Sequence, residues 1–271
     1  MANNWRGLPI GTRIGYIARE LIGTPYAGFT LEIDDRIECP SCNFDGLDCW
    51  TFFEAVMAFA RMLERPRPSC VPQYLLLEIQ WTRYRAGCCT GNYLERIHYL
   101  NEWFIDNEAR GNVREISRSL PGVQRLTGRE SREMTVLWKS YRYLRKNPGL
   151  RPQMAKIEAE VSALPVFYIP KDKVAAIESK LAEGDIAGIV TKSLGGVCSH
   201  VGLILKDAQG LAQFCHASRE FKRVIIEGTI SSYLSTYRGH AGLIVARPLS
   251  VANEVRDTAI YRRNLKALTG V

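Results

Sequence analysis

The 271-residue sequence lacks the long hydrophobic runs and the biased composition that mark several protein classes. No apolar run approaches the roughly 18 residues that a membrane-spanning helix needs. The N-terminal segment carries scattered arginines and no continuous apolar stretch, so we expect no signal peptide in the sequence as given. With 46% hydrophobic and 24% charged residues, the composition excludes a wholly disordered, collagen-like or simple coiled-coil protein.

Clustered charge of one sign is also missing. The 36 Lys and Arg residues outnumber the 28 Asp and Glu residues, which gives a formal net charge of +8. A basic surface attracts polyanions through long-range electrostatics. However, the excess is spread along the chain without a block of like charges, which favours an ordinary surface. We therefore expect no nucleic-acid partner.

Cysteine is too scarce for a disulfide scaffold, with eight residues in the whole chain. Cys39 and Cys42 have the spacing of a zinc knuckle, and Cys88 with Cys89 could complete four thiolates. A vicinal pair fits tetrahedral geometry poorly, and no second C-x-x-C motif is present. We therefore expect free or locally bridged thiols and no bound metal.

The first 165 residues are dominated by helical periodicity. Apolar residues recur at helical spacing over 10–22, where Gly23 ends the pattern, and a loop follows over 24–47. Asp48 is a good N-cap for the segment 49–63, which is apolar nearly all round and predicts a buried helix. The pattern predicts four further helices, over 73–86, 92–111, 127–147 and 152–163.

After Pro165 the hydrophobic period changes to the alternation of short strands. Two helices are predicted among them, at about 172–182 and 229–237. Helices followed by antiparallel strands indicate the α+β class. The predicted strands cover 165–170, 184–191, 199–205, 211–218, 222–228 and 241–247.

Cys49 is the candidate nucleophile because of its position. It falls in the first turn of the predicted buried helix, directly after Asp48. Unpaired backbone N–H groups and the positive end of the helix dipole favour a thiolate there, so we expect a lowered pKa for Cys49. The same N–H groups could receive the oxyanion that forms when a carbonyl is attacked. A buried structural cysteine is the alternative.

Two of the four histidines lie on neighbouring predicted strands. If the turn between these strands closes a simple hairpin, Leu205 pairs with Leu211, and His200 lies opposite His216 on the same face. Such a pair can bind a metal, satisfy its own polar groups, or act as a base with its orienting partner. The last arrangement, beside a thiolate, is that of a cysteine hydrolase.

The other two histidines carry weaker signals. His98 lies among apolar residues of a predicted helix, so we expect it in the core. His240 follows an Arg-Gly pair before a strand, so we expect it at the surface.

Seven short strings occur in an order that resembles a known family. The sequence is similar to the N-acetylmuramoyl-L-alanine amidase-like family, a branch of the NlpC-type, papain-like cysteine hydrolases, over about residues 10–250. The resemblance implies a single domain over 1–271, with a papain-like core and a large helical insertion at about 66–165. The strings are GTPY at 23–26, TLE at 30–32, LDCWTFFE at 47–54, RIHYLNEWFIDN at 96–107, EGD at 183–185, SHVGLIL at 199–205 and CHAS at 215–218.

The resemblance also implies roles for single residues. It makes Cys49 the nucleophile, His200 the base and His216 the third, orienting residue. The implied reaction is hydrolysis of the amide between the lactyl group of muramic acid and L-alanine in peptidoglycan fragments. It proceeds through a thioester and needs no metal or organic cofactor. The same resemblance implies a location in the cell envelope or periplasm.

Three further residues are candidates for substrate binding. Tyr26 matches the tyrosine that lines the site in NlpC-like enzymes, and packing of its own loop is the alternative. Asp48 and Ser199 match positions that hold a free N-terminal amine in NlpC-like endopeptidases. They favour a second possibility, a γ-D-glutamyl endopeptidase. A third possibility, a wall-binding protein without catalysis, does not require an activated cysteine.

Overall fold

The computed structural model describes residues 2–66 and 70–270. Helices and one antiparallel sheet make up this part of the chain, which confirms the α+β class. The α-helices are α1 (Ile10–Glu20), α2 (Cys49–Glu64), α3 (Pro72–Arg83), α4 (Leu100–Ala109), α5 (Glu133–Val136), α6 (Arg142–Lys146), α7 (Arg151–Ala163), α8 (Ile230–Ser235) and α9 (Thr258–Thr269). The strands are β1 (Val113–Glu115), β2 (Gln124–Leu126), β3 (Val166–Pro170), β4 (Ile186–Thr191), β5 (Cys198–Lys206), β6 (Ala212–Ser218), β7 (Arg223–Thr229) and β8 (His240–Pro248).

The sheet has the strand order β2-β3-β8-β4-β5-β6-β7, and β1 pairs with β8 beside this path. All of these pairs are antiparallel. The strands β5, β6 and β7 therefore lie side by side. Residues on their shared face can meet although they are up to 30 positions apart in the chain.

The buried helix α2 begins where Asp48 predicts. The Asp48 carboxylate accepts from the Thr51 N–H at 2.8 Å, and the Thr51 hydroxyl accepts from the Asp48 N–H at 2.9 Å. This capping box satisfies two groups that the helix itself leaves unpaired. The helix packs on β5 and β6, so its N-terminus is held against the strands that carry the two candidate histidines.

The core between the helices and the sheet holds α2 in place. Its members from α2 and the strands include Phe52, Val56, Leu203 and Cys215, none of which retains exposed surface. Burying each large apolar side chain contributes about 1.5–3 kcal/mol. The opposite face of the sheet packs in a second cluster, which includes Phe214 of β6.

The sequence overestimates helix in the segment between α3 and α7. The helix predicted over 92–111 is a 3-10 turn at Tyr93–Glu95, an extended stretch and then α4. The segment predicted as a helix over 127–147 is instead a loop after β2, followed by the short helices α5 and α6 with a 3-10 turn between them. The Asn92 side chain still caps as predicted, but it caps only the 3-10 turn. Local propensity in this segment is overridden by tertiary contacts.

The strands lie close to their predicted positions, but the register of β5 and β6 differs. Leu205 pairs with Gln213 rather than with Leu211, so the predicted hairpin is shifted by two residues. His200 and His216 are therefore diagonal rather than directly opposite. Because the shift is an even number, both side chains stay on the same face. The turn keeps its length but moves one residue along the chain, and Asp207 closes it, since the Asp207 carboxylate accepts from the Leu211 N–H.

The structure contains elements that the sequence pattern does not predict. The strands β1 and β2 and the C-terminal helix α9 are absent from the prediction, and α9 packs on α4. The helix predicted at about 172–182 is a 3-10 helix over Lys171–Lys180. Within residues 2–66 and 70–270, no helix is long and apolar enough to cross a membrane.

Candidate active site

Cys49 lies at the first position of α2 and lines a cavity of about 190 Å³. His200 and Ser199 of β5 line the same cavity. The backbone N–H of Val201, the residue after His200, lies close enough to the Cys49 sulfur to favour its thiolate form. The fold therefore brings the predicted nucleophile and the predicted base to one cavity.

The charge state of Cys49 differs from the one that the helix dipole predicts. Surrounding protein atoms, followed by the negative charge of Asp48, raise the pKa of the Cys49 thiol to about 12. Backbone N–H groups of Val201, Trp50 and Cys49 itself act in the opposite direction and are outweighed. The expectation of a lowered pKa was therefore wrong for the free protein. The site rests with a neutral thiol.

The two predicted histidines are in direct contact. His200 Nε2 lies 2.7 Å from His216 Nδ1, and the two rings are perpendicular. The His216 ring stacks on Phe214 with centroids 4.7 Å apart, and Tyr233 of α8 lies against it at 5.1 Å. These aromatic contacts restrict the orientation of the His216 ring. The remaining nitrogen of His200, Nδ1, is not engaged by His216.

Both imidazoles of the pair are neutral at neutral pH. Burial, followed by His216 and His240, lowers the pKa of His200 to about 3. Burial also lowers the pKa of His216 to about 4, although a hydrogen bond to the Ala217 backbone opposes this shift. A neutral imidazole has one donor and one acceptor nitrogen. The contact between the two rings is therefore a donor–acceptor pair.

Glu227 of β7 extends this contact and was missed by the sequence. Its Oε2 lies 3.0 Å from His216 Nε2. Ile225 pairs with His216 across the two strands, so Glu227, two residues further along, lies on the same face as His216. The signal in the sequence is an acidic residue within a predicted strand. Only the register of β6 and β7 shows which residue it meets.

A larger cavity of about 450 Å³ adjoins the first and shares Trp50, His98, Met134 and Tyr141 with it. The predicted substrate-binding residues Tyr26 and Asp48 line this larger cavity, whereas Ser199 lines the smaller one. The three residues therefore do not share one subsite. Tyr93, Arg96 and Tyr141 from the segment predicted as an insertion form part of the wall.

Tyr26, Asp48 and Arg219 bring titratable or charged groups to the larger cavity, which Glu32 and Arg96 line as a buried ion pair. Burial, Cys49 and Asp48 raise the pKa of Tyr26, and the Arg219 guanidinium lowers it. Tyr26 therefore keeps its proton at neutral pH and can donate a hydrogen bond. Burial raises the pKa of Asp48, while the backbone and hydroxyl of Thr51 oppose this shift. Arg219 is exposed and brings a positive charge to the same cavity.

The other two histidines do not lie where the sequence predicts. His98 lies in the extended stretch before α4 and not in a helix. Instead of belonging to the core, it lines both cavities, and its Nε2 contacts the Tyr93 carbonyl at 3.3 Å. His240 is buried rather than at the surface, and its ring stacks on Tyr233 at 5.3 Å. His98 therefore forms part of the wall of both cavities, and His240 packs on Tyr233, an aromatic neighbour of His216.

The cysteines outside the site are free thiols. Cys89 contacts the Glu38 carbonyl at 3.6 Å, which joins the loop before α2 to the segment after α3. Within the described residues, no group of three or more His, Cys, Asp or Glu side chains is arranged to hold a metal ion.

Comparisons with known proteins agree with this architecture. The sequence profile of the N-acetylmuramoyl-L-alanine amidase-like family matches residues 16–242. A crystal structure of an N-acetylmuramoyl-L-alanine amidase from Bacteroides uniformis is similar, with a TM-score of 0.78 and 27% identity over 88% of this chain and 98% of that one. A proposed xylanase from Bacteroides fragilis has a TM-score of 0.75 and 28% identity over 86% and 99% of the two chains.

A more distant likeness concerns the fold alone. A protein from Legionella pneumophila has a TM-score of 0.65 and 18% identity, over 92% of each chain. None of the curated proteins compared with this chain matches it. Because the family profile matches most of its length, the chain belongs to the N-acetylmuramoyl-L-alanine amidase-like family.

Proposed function

We propose that this protein is a cysteine amidase that cleaves the bond between the lactyl group of muramic acid and L-alanine in peptidoglycan fragments. The observation that carries the proposal is the chain of contacts from His200 to His216 beside the cavity that Cys49 lines. A helix-borne thiol next to an imidazole with an oriented second nitrogen is the arrangement of a nucleophile with its base. The family supports the amidase class and the peptidoglycan substrate.

The reaction starts from the neutral thiol and the neutral imidazole. On attack, the proton of Cys49 moves to His200 Nδ1, and the sulfur forms a bond to the lactyl carbonyl carbon. The oxyanion is received by the Cys49 N–H at the helix N-terminus, with the Tyr26 hydroxyl as a second donor. His200 then gives its proton to the nitrogen of L-alanine as the C–N bond breaks. Water, activated by His200, hydrolyses the thioester.

The role of His200 assigns the two cavities to the two halves of the substrate. Because His200 must reach the leaving nitrogen, the stem peptide lies in the smaller cavity, which His200 and Ser199 line. The acyl half, with the sugar, lies in the larger cavity beside Tyr26. Its aromatic lining, which includes Phe29 and Trp50, suits the apolar face of a sugar ring.

A γ-D-glutamyl endopeptidase is the second candidate because Tyr26 and Asp48 line one cavity. That enzyme must hold the free ammonium of L-alanine near Asp48. Two observations favour the amidase instead. The Asp48 Oδ1 accepts both from the Thr51 N–H and from the Thr51 hydroxyl, so it serves the helix cap. Arg219 also brings a positive charge to the cavity, which repels an ammonium.

The experiment that separates these candidates compares two substrates by product mass. A muramoyl peptide should release a peptide with a free L-alanine amine, and an unsubstituted tripeptide should stay intact. Asp48→Asn should lower the activity only modestly, because asparagine caps a helix about as well. For an endopeptidase, the same change removes a charged contact worth about 2–5 kcal/mol and collapses the activity. Release of L-alanyl-D-glutamate from the tripeptide would overturn the amidase assignment.

The same proposal extends to the domain and the compartment. We propose that residues 1–271 form one NlpC-type, papain-like domain, in which the segment 66–165 is an insertion that walls the cleft. Tyr93, Arg96, Met134 and Tyr141 of that segment line the larger cavity, which supports this role. Peptidoglycan lies in the cell envelope, so we propose that the enzyme acts there. If the correctly folded wild-type protein cleaves neither substrate, the wall-binding alternative is favoured.

A further inference from the structure

Glu227 ends a chain of contacts that starts beside the nucleophile. Its carboxylate lies 3.0 Å from His216 Nε2, and His216 Nδ1 lies 2.7 Å from His200 Nε2. We infer that Glu227 is a positioning residue that fixes the tautomers of both histidines and so leaves His200 Nδ1 unprotonated to receive the proton of Cys49. The inference deepens the proposed function and rests on it for the role of Cys49.

The tautomers follow from the contacts in order. A carboxylate can only accept, so His216 Nε2 carries the hydrogen in its contact with Glu227. Neutral His216 then has an acceptor at Nδ1. His200 Nε2 must donate to that acceptor, which leaves the lone pair of His200 on Nδ1. Each step depends on the one before it, and Glu227 sets the first.

Without a carboxylate at Glu227, the opposite arrangement becomes available. His216 could then carry its hydrogen on Nδ1 and donate to His200 Nε2. The hydrogen of His200 would move to Nδ1, and the nitrogen that must act as the base would be blocked. In serine proteases, a change that leaves the base in the wrong tautomer lowers kcat by about 10⁴-fold, although the geometry is intact.

Glu227 also matters once the proton has moved. When His200 takes the proton of Cys49, positive charge is shared along the two rings, and a carboxylate at the far end stabilises it. Tyr233 of α8 and His240 of β8 also face the pair but carry no negative charge at neutral pH. Glu220, in the turn before β7, is exposed, and its negative charge raises the pKa of Glu227.

Three variants separate the effect of the hydrogen-bond acceptor at Glu227 from the effect of its negative charge. Glu227→Leu removes both the acceptor and the charge, so the base tautomer should be mixed and kcat should fall by about 10²–10⁴-fold. Glu227→Gln keeps an acceptor oxygen but loses the charge and gains a donor NH2, so the tautomers should be fixed less firmly and kcat should fall less than in Glu227→Leu. Glu130→Gln is the control, since Glu130 is an exposed carboxylate that pairs with Arg132 and with neither histidine. It should leave both tautomers and kcat unchanged.

The direct readout is the ring-nitrogen NMR spectrum of protein labelled with ¹⁵N-histidine, assigned with His200→Gln and His216→Gln. The inference predicts that both residues carry their hydrogen on Nε2, and that an Nδ1–H form grows in Glu227→Leu. A wild-type spectrum with His200 protonated on Nδ1, or unchanged tautomers in Glu227→Leu, would overturn it. If the predicted tautomers appear but muramoyl peptides are not cleaved, the inference stands and the proposed function fails.

Discussion

The burial of His216 leads to a quantitative prediction of how the free energy of unfolding changes with pH. Its pKa is lowered from 6.5 to about 4 in the folded state, mainly by burial. Between these values the unfolded chain binds more protons than the folded one, so stability falls as the pH falls through this window. At about 1.4 kcal/mol per pH unit, the roughly 1.5 units between 6.5 and pH 5 correspond to a loss of about 2 kcal/mol.

The perturbation that isolates this contribution is His216→Gln. Glutamine does not titrate, and its amide can still accept from His200 and donate to Glu227. Urea unfolding, followed by the fluorescence of the five tryptophans, gives the free energy of unfolding at pH 7.5 and at pH 5. The variant should lose about 2 kcal/mol less than the wild type over this interval, whatever its stability at pH 7.5.

The other titrating groups are common to both proteins and cancel in this comparison. Glu220→Gln serves as a control, because it changes an exposed charge near the same strands and leaves His216 in place. An equal loss in the wild type and in His216→Gln would show that His216 is not held neutral. The pairing of neutral rings described above would then be refuted.

Two further changes test how the site is supported. Glu54→Gln leaves the buried guanidinium of Arg83, 2.9 Å away, without its counter-ion, so it should lower the free energy of unfolding in urea by about 3–5 kcal/mol. The control Glu130→Gln breaks an exposed ion pair and should change this free energy little. Equal effects of the two changes would contradict the argument from burial. Gly202→Ala would bring a Cβ within 2.6 Å of the Cys215 carbonyl and the Phe214 ring, so it should destabilise the protein by about 1–3 kcal/mol and lower kcat. Its control is Gly149→Ala, where a Cβ meets nothing within 4 Å, and comparable losses in both variants would contradict this prediction.

The sequence predicts the elements of the site better than their connections. The N-cap at Asp48 and the apolar segment after it act locally, so the start of α2 could be predicted from the sequence. The face shared by His200 and His216 could also be predicted, because the alternation of a strand survives an even error in register. Glu227 could not, since its contact depends on the pairing of β6 with β7.

The charge state of Cys49 could not be predicted from the sequence, and neither could the surroundings of the other two histidines. The helix N-terminus is visible in the sequence, whereas the burial that raises the pKa of the thiol depends on how the chain packs around it. His98 and His240 were predicted from their immediate neighbours in the chain. Their environments depend on residues outside those immediate neighbours: Tyr233 of α8 stacks on His240, and Met134 and Tyr141 line the cavities together with His98.

The measurement that tests the central claim most directly is the intact mass of the protein quenched during turnover of a muramoyl peptide. The account predicts an added mass equal to the muramoyl acyl group, localised to Cys49 by peptide mapping. The adduct should be absent in Cys49→Ala, which should fold normally and show no turnover. An adduct with the mass of L-alanyl-D-glutamate would contradict the proposed bond. Undiminished hydrolysis by Cys49→Ala would contradict the cysteine mechanism itself.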